Sequence, residues 1–298
     1  MSKLTLAGIR RGNQFSPNHI GNDAAIFALT AQHLRKLGCD VNEYIESDLL
    51  LQDPKEKGIF NMVRDWKSIH KLQELEDKNY FVVNSGYGIE NCTREKMTRL
   101  LLSNHISHPE SLILRTDEDP TEALEKAGFF NCWIKRGDFH AIHREDVTYV
   151  RNPEEARSIL KEYAIRGIPS AVINEHLVGD LVKFYGVAGT DFFYWFYPSN
   201  MHHSKIWFRS YQWYSEGDPR STSAASSALP QGCGGIEHTY LRGRVASVSE
   251  DGVMRIIDFN DWPSFAPCPG RSGSKHRTSY LGSYARTHLN RFNKINHE

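Results

Sequence analysis

Asp258 and Asn260 stand two residues apart near the end of an alternating apolar stretch that starts at Val253. On a strand, residues i and i+2 share a face, so this pair offers a carboxylate and an amide oxygen to one side. Hard oxygen donors of this kind suit magnesium, which keeps several waters and shares phosphate oxygens. Far upstream, Lys135 closes the apolar stretch from Phe129 to Ile134. A strand of that composition buries a charge only with a compensating partner, and a phosphate would be one. Lys96, early in the helical pattern of Met97, Leu100 and Leu101, offers another compact charge for phosphate oxygens, although solvent serves a helix lysine equally well. Arg244, with Arg242 on the same strand face, suits neutralisation of a transferring phosphoryl group; as a surface ion pair it would contribute little. His140 and His143 follow the turn Arg136-Gly137-Asp138 and suit either a phosphate contact or a structural role.

The elements that must hold these groups follow from periodicity. Leu4 to Ile9 reads as a strand, and Ala24, Ile26, Phe27, Leu29, Leu34 and Leu37 as a helix. Gly38 suits its left-handed cap, and Val41 to Ile45 reads as the next strand, so a β-α-β unit opens the chain. Strands are expected at 59–63 and 80–84, with a helix at 68–75 between them and a turn at Ser85-Gly86-Tyr87-Gly88. Further helices are expected from Thr93, at 121–127 and at 153–163, and strands at 112–114, 131–135, 146–150, 171–174 and 182–187. The aromatic run 191–197 reads as a strand, and 244–248 and 253–260 as a hairpin around Glu250-Asp251-Gly252. Residues 215–235, heavy in Ser, Ala and Gly, read as a mobile loop, and the stretch from about 270 as a loosely attached tail.

Composition narrows the classes. At 298 residues the chain can build two or three lobes. Lys plus Arg and Asp plus Glu both number 36, so no net field draws it to nucleic acid or membrane. Five widely spaced cysteines without a CxxC pair read as reduced thiols. With neither a signal-peptide pattern nor a long apolar run, the expectation is a soluble cytoplasmic protein. Glycine-rich dinucleotide and P-loop fingerprints are absent, which disfavours those nucleotide sites.

Four segments matter jointly: VVNSGYGIENCTREKMTRLLL, FFNCWIKRGDFHAIH, AVINEHLVGDLVKFYGV and GRVASVSEDGVMRIIDFNDWPSF. In order and spacing, over roughly residues 1–268, they resemble the ATP-grasp superfamily, which includes glutathione synthetase, D-alanine-D-alanine ligase and the inositol phosphate kinases. The resemblance implies a mixed α/β and α+β fold: a parallel N-terminal domain (1–90), a central lobe with a lid loop (91–178), a C-terminal lobe (179–268) and a tail (269–298), with ATP clamped between the last two lobes. It implies phosphate contacts from Lys96 and Lys135, a lid at 136–140 carrying His140, and an adenine hinge at Glu175, His176, Leu177 and Val178. Extended backbone there can match the donors and acceptors of adenine. Asp180 would take ribose hydroxyls, Lys183 would reach the phosphates or the acceptor, and Arg244 would offset developing charge. The Asp258-Phe259-Asn260 triplet before Pro263 resembles the acidic-X-Asn metal signature of the family. A further acid expected after the Arg-apolar pair is replaced by Ala246.

What the resemblance implies is an ATP- and magnesium-dependent enzyme, first a carboxylate-amine ligase acting through an acyl-phosphate. The alternatives are a small-molecule kinase of the inositol phosphate kinase type and a nucleotide-binding module with reduced turnover. Its partners would be ATP and a small-molecule acceptor, with a homodimer common in the family.

Overall fold

The computed structural model describes residues 3–187, 193–196, 241–248 and 252–262, the second and third of these segments through their backbone. The first layer is a parallel sheet in the order β2-β1-β3-β4, from β1 (Thr5–Arg10), β2 (Asp40–Ile45), β3 (Gly58–Asn61) and β4 (Phe81–Val83). A parallel sheet is buried on both faces, and here alternate residues of β1 enter two cores. Leu6 meets Ile26, Phe27 and Leu34 of α1 (Ile20–Lys36), while Ala7 and Ile9 meet Ile69 and Leu72 of α3 (Trp66–Asp77). Gly38 has φ of 94°, the left-handed conformation expected where α1 ends.

Two features differ from the sequence reading. A short helix, α2 (Asp48–Leu51), follows β2. The expected turn at 85–88 instead opens α4 (Gly86–Asn91). Ser85 caps it by accepting from the Gly88 amide at 3.4 Å, and Glu76 takes both the Ser85 hydroxyl at 2.6 Å and the Gly86 amide at 2.5 Å. A glycine-rich start looks like a turn until a carboxylate from α3 meets its free amides.

The helix α5 (Arg94–Ser103) leads to an antiparallel sheet in the order β5-β8-β6-β7, from β5 (Ser111–Arg115), β6 (Cys132–Arg136), β7 (Val147–Val150) and β8 (Ser170–Glu175). Its inner face carries Cys132, Ile134, Ala171 and Ile173 against α6 (Thr121–Ala127) and α7 (Pro153–Ile165). The third layer is antiparallel too, in the order β10-β9-β11-β12, from β9 (Asp180–Val187), β10 (Phe193–Phe196), β11 (Leu241–Val248) and β12 (Met254–Asn260). The layers are not equally independent. Tyr185, Val187 and Trp262 of the third sit in the core of the first, and Ile256 and Phe259 pack on α5, whereas the central sheet keeps its own core.

The loop expected at 215–235 and the tail from 270 lie outside the described residues. Among the described residues, no helix is long and apolar enough to cross a membrane, and Cys39, Cys92 and Cys132 are buried and outside any disulfide.

Candidate functional site

The outer face of the central sheet forms the floor of a cleft of about 190 Å3, closed opposite by β9 and β12. Strand register explains the floor. Tyr149, Trp133, Asn174 and Ser111 form one cross-strand row, and Val147, Lys135, Val172 and Ile113 the neighbouring one. Trp133 and Lys135 alternate with Cys132 and Ile134, which enter the core, so the pleat sends them to the cleft. Pro109, Trp133, Val147, Leu177, Leu181 and Ile257 give apolar walls.

Arg94, Lys135 and Asp258 bring charge to the cleft, as does Glu175 on its rim. Lys135 is 4% exposed, and no carboxylate among the described residues lies within ion-pair distance of it. Burial, and then the nearby Arg94, pull its pKa down to about 7 against the opposing pull of Asp258. Arg94 is the first residue of α5, where the helix dipole disfavours a cation; it pairs with Asp258 at 2.9 Å. Asp258 Oδ1 also accepts from the Phe259 amide at 2.8 Å. His108 is anchored through Nδ1 to the Ile256 carbonyl at 2.6 Å, and burial holds its pKa at about 4, so it stays neutral.

A bulge in β12 completes the cleft. Val245 pairs with Asp258 and Ala246 with Ile256, so Ile257 has no opposite number. Strict alternation would send neighbours to opposite faces, but across the bulge Ile257 and Asp258 both line the cleft.

The connection from β8 to β9 forms one rim. Glu175 and Leu177 line the cleft. The Glu175 side chain is engaged in fastening the start of β5, accepting from the Glu110 amide at 2.9 Å. His176 accepts at Nδ1 from the Trp133 indole at 3.1 Å, which fixes the indole as a wall, and burial lowers the His176 pKa. Val178 is 76% exposed and does not line the cleft. Asp180 begins β9, half-buried between the lining residues Gly179 and Leu181, and burial raises its pKa.

Other expected residues fall elsewhere. Lys96 points away from the cleft: its side chain is about half exposed and paired with Glu90. A helix turns 100° per residue, so Arg94 and Lys96 cannot share a face, and tertiary packing selects Arg94. His140 sits outside the cleft with Nε2 accepting from Arg64, which also holds Asp261 at 2.5 Å. Burial and the guanidinium groups of Arg64, Arg94, Arg11 and Arg136 drive the His140 pKa well down, so the ring carries no charge for a phosphate. Lys183, half-buried and with its pKa lowered by burial, shares the row Lys183–Val245–Asp258 but does not line the cleft. Arg244 lies in the adjacent row, opposite Phe184 and Phe259; its side chain lies outside the described residues. Asn260 is half-buried and pairs with Gly243, separated from Asp258 by the buried Phe259.

Sequence reasoning missed Arg94, Trp133, Asn174 and Ile257. Arg94 carried a faint signal as a cation at a helix start, and Asn174 as an amide ending an apolar run. The Ile257 bulge left no signal in the residue pattern.

The donor set fits a phosphate-bearing ligand. Among the described residues, a nearly buried ammonium without a carboxylate partner, beside a guanidinium with one carboxylate contact, lacks the compensation that phosphate oxygens provide. For a metal, no group of three or more His, Cys, Asp or Glu residues able to hold an ion occurs among the described residues. A divalent ion at Asp258 would therefore complete its shell with phosphate and water.

A parallel α/β layer followed by two antiparallel lobes that face each other across such a cleft is the ATP-grasp fold, and this chain has it. D-alanine–D-alanine ligase from Bacillus anthracis, complexed with ATP, superposes with a TM-score of 0.69 at 13% identity over 98% of this chain and 99% of that one. A RimK-domain ATP-grasp protein from Sphaerobacter thermophilus gives 0.68 at 14% identity over 95% and 99%. The VanG D-Ala:D-Ser ligase from Enterococcus faecalis gives 0.65 at 13% over 95% and 100%. At such identities the likeness is one of fold. No protein-family model and no curated protein sequence matches the chain.

Proposed function

We propose that the cleft takes ATP with magnesium and that the protein is an ATP-dependent carboxylate-amine ligase. The buried Lys135, with no ion-pair partner among the described residues and across the cleft from an aspartate, carries this reading. Lys135 and Arg94 would hold phosphate oxygens, Asp258 and Asn260 the magnesium, and the 175–178 segment the base, with Asp180 at the ribose. Bound there, ATP would supply the phosphoryl group that converts a substrate carboxylate into an acyl-phosphate, from which an amine then displaces phosphate to give the amide. The protein's part would be positioning and charge: Arg94 would leave Asp258 for the phosphates, Lys135 would keep its proton beside them, Lys183 would serve the phosphates or the acceptor, and Arg244 would offset developing charge. No protein nucleophile is required.

A screen of carboxylate and amine acceptors with ATP and magnesium, read as ADP release, tests this. The expected result is acceptor-dependent ADP with an amide product, abolished by Asp258→Ala. Release that ignores this substitution removes the metal role of Asp258.

Two observations support other readings. Lys183 shares a backbone row with Asp258, which suits a hydroxyl acceptor and a kinase; a phosphate-ester product identifies it. Ala246 stands where the resemblance calls for a third carboxylate, which suits a binding module; ATP binding without ADP release for any acceptor identifies that.

A further inference from the structure

We infer that Phe139 is a latch that fastens the central lobe to the first layer, and that its release is the step that admits ATP to the cleft. The inference rests on the nucleotide reading above and goes beyond it, because the 136–140 segment, expected as a cover over phosphates, makes a different contact.

The segment is pinned at both ends and placed by side chains between them. At one end the Gly137 amide donates to the Ser170 carbonyl at 2.8 Å, and the Gly137 carbonyl accepts from the Glu95 amide at 2.9 Å. A Cβ at residue 137 would stand 2.9 Å from the Ser170 carbonyl oxygen, so the close approach requires glycine. At the other end Asp146 accepts from the Ile142 and His143 amides at 2.8 and 2.9 Å. From Asp138 to Ala141 no backbone hydrogen bond among the described residues holds the chain.

The side chains of that span reach the first layer. Phe139 is buried although it stands in a loop, and its ring centroid lies 6.1 Å from that of Phe15 and 5.8 Å from that of Trp66. Phe15 belongs to the turn after β1 and Trp66 opens α3. His140 crosses in the same direction, accepting at 3.2 Å from Arg64 in the connection between β3 and α3. Rings at such separations attract beyond the area they bury. The central lobe keeps its own core, which does not include Phe139, so this contact can break with the lobe intact.

The cleft supplies the reason for it to break. At about 190 Å3 it is smaller than the roughly 300–1,000 Å3 of pockets that enclose drug-sized ligands, so it must widen before ATP fits. Its floor, with Lys135 just upstream of Phe139, belongs to the central sheet, whereas β9 on the opposite wall is packed into the core of the first layer through Tyr185 and Val187. Drawing floor from wall therefore draws Phe139 off Phe15 and Trp66.

Stopped-flow mixing with ATP and magnesium, followed by tryptophan fluorescence, tests this, with calorimetry giving the equilibrium affinity. In the wild type the observed rate should level off as ATP is raised, because opening limits entry. Phe139→Ala should raise that plateau roughly tenfold, the scale of a lost aromatic contact. Phe15→Ala changes only a half-buried ring in a surface turn, so it should fold normally and raise the plateau as well. A wild-type rate that climbs in proportion to ATP without a plateau, or a plateau that either folded variant leaves unmoved, overturns the latch, while calorimetric binding leaves the nucleotide site standing. No ATP binding by calorimetry removes both.

Discussion

Lys135 and Arg94 are both cations that folding has taken out of water, but they are compensated unequally. Arg94 has Asp258 at 2.9 Å; Lys135 has no ion-pair partner among the described residues. The consequence is a pH dependence whose sign can be worked out. The folded pKa of Lys135, about 7, lies below its ordinary 10.5, so between those values the unfolded chain binds more protons and this residue makes stability rise with pH. Phosphates reverse the preference by favouring the ammonium. Nucleotide binding at pH 8 should therefore take up a proton, read by calorimetry in two buffers of different ionisation enthalpy, and affinity should weaken as pH climbs above 7. Buffer-independent heats would contradict this. The same cleft separates Arg94 from Lys96. Arg94→Ala should weaken nucleotide binding roughly 10- to 100-fold, the range for losing a charge-assisted hydrogen bond, whereas Lys96→Ala should change it less than about twofold. Equal losses in the two variants would return Lys96 to the site.

Among the elements, α4 depends on one carboxylate. Glu76 is held by Ser85 and the Gly86 amide, yet burial outweighs both and raises its pKa to about 7. A carboxyl whose folded pKa lies above its ordinary 4.5 contributes stability at low pH and loses it as pH rises through 7. Glu76→Gln keeps an acceptor and a donor without the charge. Its melting temperature should gain on the wild type from pH 5 to pH 8; parallel curves would show that Glu76 is not the titrating group. The alternation of hydrophobic residues made most strands and helices legible, including the β11–β12 pair and the end of α1 at Gly38. It did not show α4, whose start depends on a side chain from another helix, or the β12 bulge, which depends on how β11 pairs.

Across the whole molecule, the central lobe stands apart energetically. Its core of Leu124, Ile134, Leu160, Tyr163 and Ile173 is closed within itself, while the third sheet shares its packing with the first layer and with α5. Polar ties strengthen that union: Arg64 reaches Asp261, and Asn84 donates to the Asp261 carbonyl at 2.6 Å. A lobe with its own core can unfold as its own unit. Scanning calorimetry of the ligand-free protein should resolve two transitions. ATP with magnesium, bound between the central lobe and β12, should raise the lower one toward the upper through linkage. A single transition without nucleotide would show the lobes to be one cooperative body.

The sequence by itself determined most strands and helices and part of the cleft. Periodicities of two and 3.6 set the strands and helices, and an apolar strand ending in Lys135, an Asp258–Asn260 pair and an extended rim at Glu175 pointed to a phosphate-bearing ligand before any fold was in view. Lys135, Glu175, Leu177 and Asp258 do line one cleft. Only the tertiary structure decided that Arg94 rather than Lys96 lines the cleft, that His140 spends its lone pair on Arg64, that a bulge brings Ile257 and Asp258 to one side, and that the Asn174 oxygen is unmatched among the described residues. The reason is physical: composition and spacing fix which residues share a face, but which face is buried, and against which partner, depends on contacts between segments far apart in the chain.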